Sequence, residues 1–180
     1  ICDYSHRTEL IINKCIPLYN EGRDILILSD RRNHLLEIHT ILKSNDIESG
    51  FYIGGMKPQE LRDSQEKNII LGTFSMASEG MDIPKLNTII LASPKSDVVQ
   101  SVGRILREKA DVRKFHPLVI DFKDTHSNLS IFNRQCDKRI TYYKKSNHEI
   151  FLYKWDGSVE KIEKRTITPS IGRITRKKRT

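Results

Sequence analysis

Cysteine is scarce in this sequence, and that scarcity excludes a disulfide-stabilised scaffold. Only three cysteines occur among the 180 residues, and Cys2, Cys15 and Cys136 are widely separated. Disulfide frameworks need more cysteines, and structural zinc sites need closely spaced pairs. We therefore predict three thiols without a metal-binding role, in a protein from a reducing compartment.

Long apolar segments are missing as well. No stretch approaches the roughly 20 apolar residues that a membrane-spanning helix needs, and the first residues lack the layout of a signal peptide. These absences predict a soluble protein with no membrane partner. The length still suits one domain with a buried core and a small appendage.

Two parts of a self-sufficient nucleotide-hydrolysing site are also absent. The sequence contains no G-x-x-x-x-G-K-S/T phosphate-binding loop and no acidic strand end of the kind that holds magnesium. A chain without these parts is not expected to hydrolyse a nucleoside triphosphate unaided.

Positive charge is concentrated at the C-terminal end. The chain has 31 basic and 23 acidic residues, and seven of the basic residues lie in the segment 164–180, which has no acidic residue. The preceding part is therefore nearly neutral. Such a tail is typical of a flexible arm that contacts nucleic-acid phosphates, and a disordered solubilising or localisation segment explains it as well.

Short, β-branched apolar runs predict strands that are buried on both faces of a parallel sheet. These runs are Ile25–Leu28, Phe51–Ile53, Ile69–Leu71, Thr88–Ala92 and Pro117–Phe122. Helical spacing predicts helices at 5–21, where Pro17 should bend or shorten the helix, from Asp30, from Pro58, near 96–107 and at 129–145. In the last helix we expect basic residues such as Arg139 to lie between inward-facing residues, which are Ile131, Phe132, Cys136, Ile140 and Tyr143. The order predicts an α/β fold with a central parallel sheet flanked by helices.

The end of the chain predicts an appendage. Asp156 and Gly157 separate two short strand-like segments, which is a strong signal for a two-residue hairpin. We therefore predict a domain at 1–146, an appended β-hairpin at 147–163 and a basic flexible tail at 164–180.

The helix near 96–107 carries two arginines one turn apart. Its predicted apolar stripe is Val99, Val102 and Leu106, and its other face is Gln100, Gly103, Arg104 and Arg107. Two guanidinium groups at this spacing suit a multiply charged phosphate group. An ordinary solvated helix face explains the same residues.

Polar residues and glycines follow the predicted strands, where ligands bind in α/β sheets. The candidates for binding a nucleic-acid phosphate are Ser29, Arg31, Arg32, Gly54, Gly55, Lys57, Thr73 and Ser75. Arg31 and Arg32 lie at a helix start, where the helix dipole disfavours cations unless an anion is near. Both side chains could instead extend into solvent or pair with an acidic neighbour, and Lys57 could belong to a plain surface turn.

Four segments together resemble a known family. LILSDRRNHL, FYIGGMK, TFSMASEGMDIP and QSVGRILR occur in this order, and they are similar to motifs in the second RecA-like domain of superfamily-two helicases. The resemblance is greatest to helicases of large DNA viruses and phages, including the poxvirus transcript-release type and its asfarvirus relatives. It covers roughly residues 5 to 145 and implies a RecA-like fold.

The resemblance implies a nucleotide site that this chain only completes. Gly80 would approach ATP closely, and Asp82, otherwise a turn residue, would accept a hydrogen bond from a ribose hydroxyl. Arg104 and Arg107 would reach the γ-phosphate with help from Gln100. An N-terminal lobe of the same full-length chain would hold most of the ATP and its magnesium ion, so this fragment alone should be inactive.

The resemblance also implies a DNA or RNA single strand as partner. The position of the family's threonine is Phe74 here, so either Thr73 or Ser75 would make its contact. A viral origin would place the protein in the host cytoplasm or the virion, with the transcription machinery as a possible partner. Two other functions fit the residues: a nucleic-acid-binding module without motor activity, and an α/β domain that binds a phosphorylated metabolite.

Overall fold

Five parallel strands form the central sheet of the computed structural model, which describes residues 5–79, 81–104, 114–124, 130–154 and 157–162. The strands are β1 (Ile25–Leu28), β2 (Gly50–Tyr52), β3 (Ile69–Gly72), β4 (Thr88–Leu91) and β5 (Leu118–Ile120). Their order in the sheet is β2-β3-β1-β4-β5, and each neighbouring pair is parallel. The predicted α/β fold with a central parallel sheet is confirmed.

Six helices accompany the strands in the described residues. They are α1 (Ser5–Asn20), α2 (Arg32–Ser44), α3 (Pro58–Gln65), α4 (Phe74–Glu79), α5 (Val99–Arg104) and α6 (Ser130–Lys145). Helix α1 continues past Pro17 to Asn20, and Gly22 follows it with a φ of +87°, a conformation that favours glycine and closes helix ends. None of the described helices combines the length and apolar character that crossing a membrane requires.

The core lies on both faces of the sheet. Strands β1, β3 and β4 are buried at every position, because they occupy the middle of the sheet. On one face, Ile25 and Ile27 join a cluster with residues of α1 and α2. Successive strand residues point to opposite faces, and Leu26 and Leu28 are also fully buried.

Helix α5 follows the predicted stripe only in part: Val102 is buried as predicted, and Leu106 lies outside the described residues. The side chains of Val98, Ser101 and Val102 are almost fully buried, whereas Val99 is 49% exposed. The carboxylate of Asp97 accepts a hydrogen bond from the Val99 backbone N–H at 3.1 Å, so the helix begins late. The spacing of 98, 101 and 102 places one face on the core, and the assignment of Val99 to that face was wrong.

Helix α6 also differs from the prediction in two places. Ile131 is 60% exposed, so its predicted inward position was wrong. Arg139, expected among the basic residues between the inward positions, is only 1% exposed. The buried positions Cys136 and Arg139 are three residues apart and share one helix face, and the arginine is accommodated because Asp121 pairs with it.

The chain divides into two units, Ile1–Ile140 and Thr141–Thr180. The division lies inside α6, before the boundary that we predicted at residue 146. The described part of the second unit contains the end of α6 and an antiparallel hairpin of β6 (Phe151–Tyr153) and β7 (Val159–Lys161). This confirms the predicted hairpin, whereas the segment 164–180 lies outside the described residues.

Candidate nucleic-acid and nucleotide site

The carboxyl ends of three adjacent strands bring the predicted strand-binding residues together. All strands of the sheet are parallel, so these ends share one edge, where ligands bind in α/β folds. Gly54 and Gly55 follow β2, Thr73 follows β3, and the segment 29–32 follows β1. Because β3 lies between β2 and β1, the three segments are neighbours.

A side chain connects the outer two of these segments. The Arg32 guanidinium donates a hydrogen bond from Nη2 to the Gly54 carbonyl at 2.7 Å. A Cβ atom on Gly54 would lie 3.4 Å from this nitrogen, and Gly55 has a φ of +89° that favours glycine. The paired glycines therefore form a turn that an arginine covers.

Arg31 and Arg32 are both exposed at the start of α2. Arg31 precedes the helix in an extended conformation and makes no side-chain capping bond. Within the described ranges neither arginine is part of an ion pair. The structure therefore offers no acidic neighbour of this kind, and the two charges lie at the strand ends.

Ser29 differs from the other candidates because its side chain is fully buried. Its Oγ accepts a hydrogen bond from the Arg31 backbone N–H at 3.2 Å and lies 3.3 Å from Nδ1 of His34. The hydroxyl therefore shapes the turn that presents the two arginines.

Thr73 and Ser75 place their hydroxyls side by side. Their oxygens are 3.3 Å apart, and the side chain of Phe74 between them is 2% exposed. Phe74 therefore belongs to the core, and both hydroxyls lie at the edge. Serine and threonine hydroxyls are among the groups that contact nucleic-acid phosphates without reading the base sequence.

Lys57 lies at the outer side of the same edge. Its side chain is exposed, and its backbone N–H donates to the Glu60 carboxylate at 2.7 Å. This contact orders the start of α3, just after the two glycines.

The residues predicted for the nucleotide belong to α4, α5 and the segment between them. Helices α4 and α5 pack together. Asp82 is exposed between Met81 and Ile83, which are buried, and Gln100 is exposed on α5. Arg104 is the last residue of α5, but its side chain, Gly80 and Arg107 lie outside the described residues.

A lysine that the sequence did not single out contacts two of the segments that were predicted to bind a strand. Nζ of Lys95 lies 3.2 Å and 3.4 Å from the two carboxylate oxygens of Asp30. The same atom lies 5.2 Å from the centre of the Phe74 ring, within cation–π distance. No local pattern indicated these contacts, because they join residues that are distant in sequence.

Two buried arginines hold the segment after β4. Arg139 pairs with Asp121 through two hydrogen bonds of 2.7 Å and 2.8 Å, and it also donates to the Lys95 carbonyl. Arg7 donates to the Ala92 carbonyl at 2.7 Å. The core spacing of position 139 was a signal that sequence reasoning missed.

Within the described residues, the remaining titratable groups offer no cluster of metal ligands. In the part of the chain that the structure describes, no three histidine, cysteine or acidic side chains are grouped to hold a metal ion. Burial raises the pKa of Cys15 to about 12 and that of Cys136 to about 11. Both thiols therefore stay protonated at neutral pH and suit a structural role.

Comparison with known proteins relates this chain to viral proteins. Protein L396 of Acanthamoeba polyphaga mimivirus, which carries the name of an ATP-dependent RNA helicase, is 39% identical over 150 residues, covering 82% of this chain and 28% of that protein. Protein QP509L of African swine fever virus, with a name of the same kind, is 30% identical over 166 residues, covering 81% of this chain and 32% of that protein. This chain thus spans about a third of the length of these relatives.

Solved structures show the same fold. The crystal structure of T4 UvsW superimposes with a TM-score of 0.62 at 21% sequence identity, covering 82% of this chain and 34% of that protein. The family described as the helicase conserved C-terminal domain matches residues 7–109, more than half of the chain. With its RecA-like parallel sheet and its match to the family over residues 7–109, this chain belongs to the helicase conserved C-terminal domain family.

Proposed function

We propose that this chain is the C-terminal lobe of an ATP-dependent helicase or translocase that moves along a nucleic-acid single strand. The observation that carries the proposal is the gathering of three strand ends, with exposed arginines and paired hydroxyls, beside the helix pair α4 and α5. Such a lobe has two tasks, which are to bind the nucleic-acid strand and to contact ATP. An edge suited to phosphates would serve the first task, and an arginine-bearing helix would serve the second.

The strand would bind through its phosphates. Arg31 and Arg32 provide exposed positive charge, and Thr73 and Ser75 provide hydroxyls for neighbouring phosphates. Gly54 and Gly55 allow close backbone approach, Lys57 adds a point charge, and Ser29 shapes the turn below the arginines. Contacts of this kind position a strand without selecting its sequence.

ATP would lie between this lobe and an N-terminal lobe. Gly80 and Asp82 would face the ribose, and Arg104 and Arg107, aided by Gln100, would approach the γ-phosphate. Arginines so placed stabilise the charge that develops on the transferred phosphoryl group. The residues described here offer no phosphate-binding loop, so the N-terminal lobe would hold the phosphates and the magnesium ion that neutralises them.

RNA is the first candidate for the strand, since two relatives carry RNA helicase names. Cycles of lobe closure on ATP and reopening after hydrolysis would then advance the strand and separate a duplex ahead of it. The transcription machinery is a candidate partner, and the host cytoplasm or the virion a candidate location.

Replacement of Arg107 by alanine in the full-length protein tests the proposal. We expect ATP turnover to fall by about a thousandfold or more, because an arginine finger contributes that much. Arg62→Ala is the matched control, since Arg62 is exposed on α3 and its guanidinium donates hydrogen bonds to Gln59 of its own helix. Steady-state ATPase assays with and without single-stranded RNA or DNA measure both variants.

The same assay separates the other two functions. Normal turnover of Arg107→Ala would contradict the role of the arginine. Strand binding that weakens steeply with salt but brings no ATP hydrolysis by the full-length protein would favour a binding module. Absence of both would favour a phosphometabolite domain.

A further inference from the structure

We infer that Lys95 is a positioning residue that couples strand binding to the arginine-bearing helix α5. The inference deepens the proposed function and rests on it, because it concerns how the two halves of that site communicate.

The Lys95 ammonium group contacts two of the segments that would hold the strand. It lies 3.2 Å and 3.4 Å from the carboxylate oxygens of Asp30, whose neighbour in the chain is Arg31. It also lies 5.2 Å from the ring centre of Phe74, the residue between the two hydroxyls. Movement of either segment when a strand binds would therefore displace the lysine.

The backbone of Lys95 makes a separate contact with a buried arginine. Its carbonyl accepts a hydrogen bond from Arg139, whose guanidinium is nearly inaccessible to solvent and pairs with Asp121 at 2.7 Å and 2.8 Å. A doubly bonded ion pair of this kind has a defined geometry, and it ties the backbone of Lys95 to the end of β5 and to α6. The side chain of the same residue reaches the proposed strand-binding edge.

The segment on either side of Lys95 is short and anchored. Before it, the Ser93 hydroxyl accepts a hydrogen bond from the Asp30 backbone N–H at 2.9 Å. After it, Asp97 accepts a hydrogen bond from Val99 at the start of α5. The segment 93–99, which carries Lys95, therefore connects Asp30 to the start of α5.

The ion pair between Lys95 and Asp30 is partly exposed, so it can form and break at little cost to the fold. The side chains of Lys95 and Asp30 are 38% and 46% exposed, and ion pairs of this kind add little to folding stability. Their loss should leave the domain folded, so an effect on coupling can be measured without unfolding.

Lys95→Met in the full-length protein is the test. The measurement is the ratio of ATPase kcat with a saturating mixed-sequence single-stranded oligonucleotide to kcat without it, using RNA and DNA oligonucleotides in turn. We expect this ratio to fall about twofold to fivefold, the range that a partly exposed ion pair provides. Lys95→Arg keeps the charge and the ring contact, so it should retain most of the coupling.

Two further variants make the result specific. Asp30→Asn should lower the ratio in the wild-type protein but add nothing in the Lys95→Met background, because the two residues act as one contact. Lys85→Met is the matched control: Lys85 pairs with Asp24 at 3.7 Å and is 35% exposed, but Asp24 precedes β1, at the other edge of the sheet. Its ratio should equal that of the wild type.

The outcomes separate this inference from the proposed function. The inference would be overturned if Lys95→Met left the kcat ratio unchanged, or if Lys95→Met and Lys85→Met lowered it equally. The proposed function would still stand in that case, provided that the oligonucleotide stimulates the ATPase of the wild-type protein. A wild-type protein whose ATPase does not respond to either oligonucleotide would overturn the function, and the inference with it.

Discussion

Replacing Arg139 by alanine should destabilise the folded domain by about 3–5 kcal/mol, the cost of removing one partner of a buried ion pair. The guanidinium is 1% exposed and the Asp121 side chain only 14%. The variant would leave that carboxylate buried without its two hydrogen bonds, and the Lys95 carbonyl without its donor. The loss is a large fraction of the total stability of a typical domain, about 5–15 kcal/mol.

Urea denaturation followed by circular dichroism would measure the free energy of unfolding. Lys123→Ala is a matched control, because Lys123 also joins the end of β5 to α6, through Asp137 at 3.6 Å, but with side chains 36% and 61% exposed. Its cost should stay below about 1 kcal/mol. The double replacement Arg139→Met with Asp121→Leu should recover part of the stability, since no unpaired charge then remains.

The reasoning would be refuted by equal costs for Arg139→Ala and Lys123→Ala. It would also fail if the double variant were less stable than Arg139→Ala alone. In either case the pair would not be the buried, mutually dependent contact that the structure shows.

Two further predictions test the packing of the core. Val98→Ala should cost about 2 kcal/mol of unfolding free energy because two buried methyl groups are lost, whereas Val99→Ala should change it by no more than about 0.5 kcal/mol. If Val99→Ala lost more unfolding free energy than Val98→Ala in the same urea assay, the result would support the predicted stripe, in which Val99 faces the core. In a Cys2→Ser background, the pKa values of about 12 and 11 for Cys15 and Cys136 leave roughly one thiol in ten thousand and one in a thousand ionised at pH 8. A thiol-specific reagent should therefore react slowly with the native protein and fast in urea, and rapid native labelling would contradict the burial.

The strands and most helices were predictable because their signals are local. Three β-branched runs became the fully buried strands β1, β3 and β4, and the Asp156–Gly157 pair marked the hairpin. The gathering of residues 29–32, 54–55 and 73–75 at one edge also followed, because the carboxyl ends of parallel strands coincide. Whether these residues bind a strand stays a prediction.

It was less predictable which sides of α5 and α6 pack on the core. At the start of α5 the structure buries Val98, whereas the prediction placed Val99 on the core. The sequence does not distinguish the two residues, because either one gives an apolar stripe of helical spacing. In α6 the burial of Arg139 depends on the Asp121 carboxylate, which lies 18 positions earlier in the chain. Propensity rules treat such an arginine as a surface residue.

By itself, the sequence determined the kind of protein: the order of strands and helices, the parallel sheet and the family motifs along its edge. Only the tertiary structure decided that β1 lies between β3 and β4, which places Asp30 against Lys95 and Lys95 over Phe74. The reason is physical: hydrophobic spacing records which side of an element is buried, but not which element covers it. Contacts between charged groups depend on which element covers which.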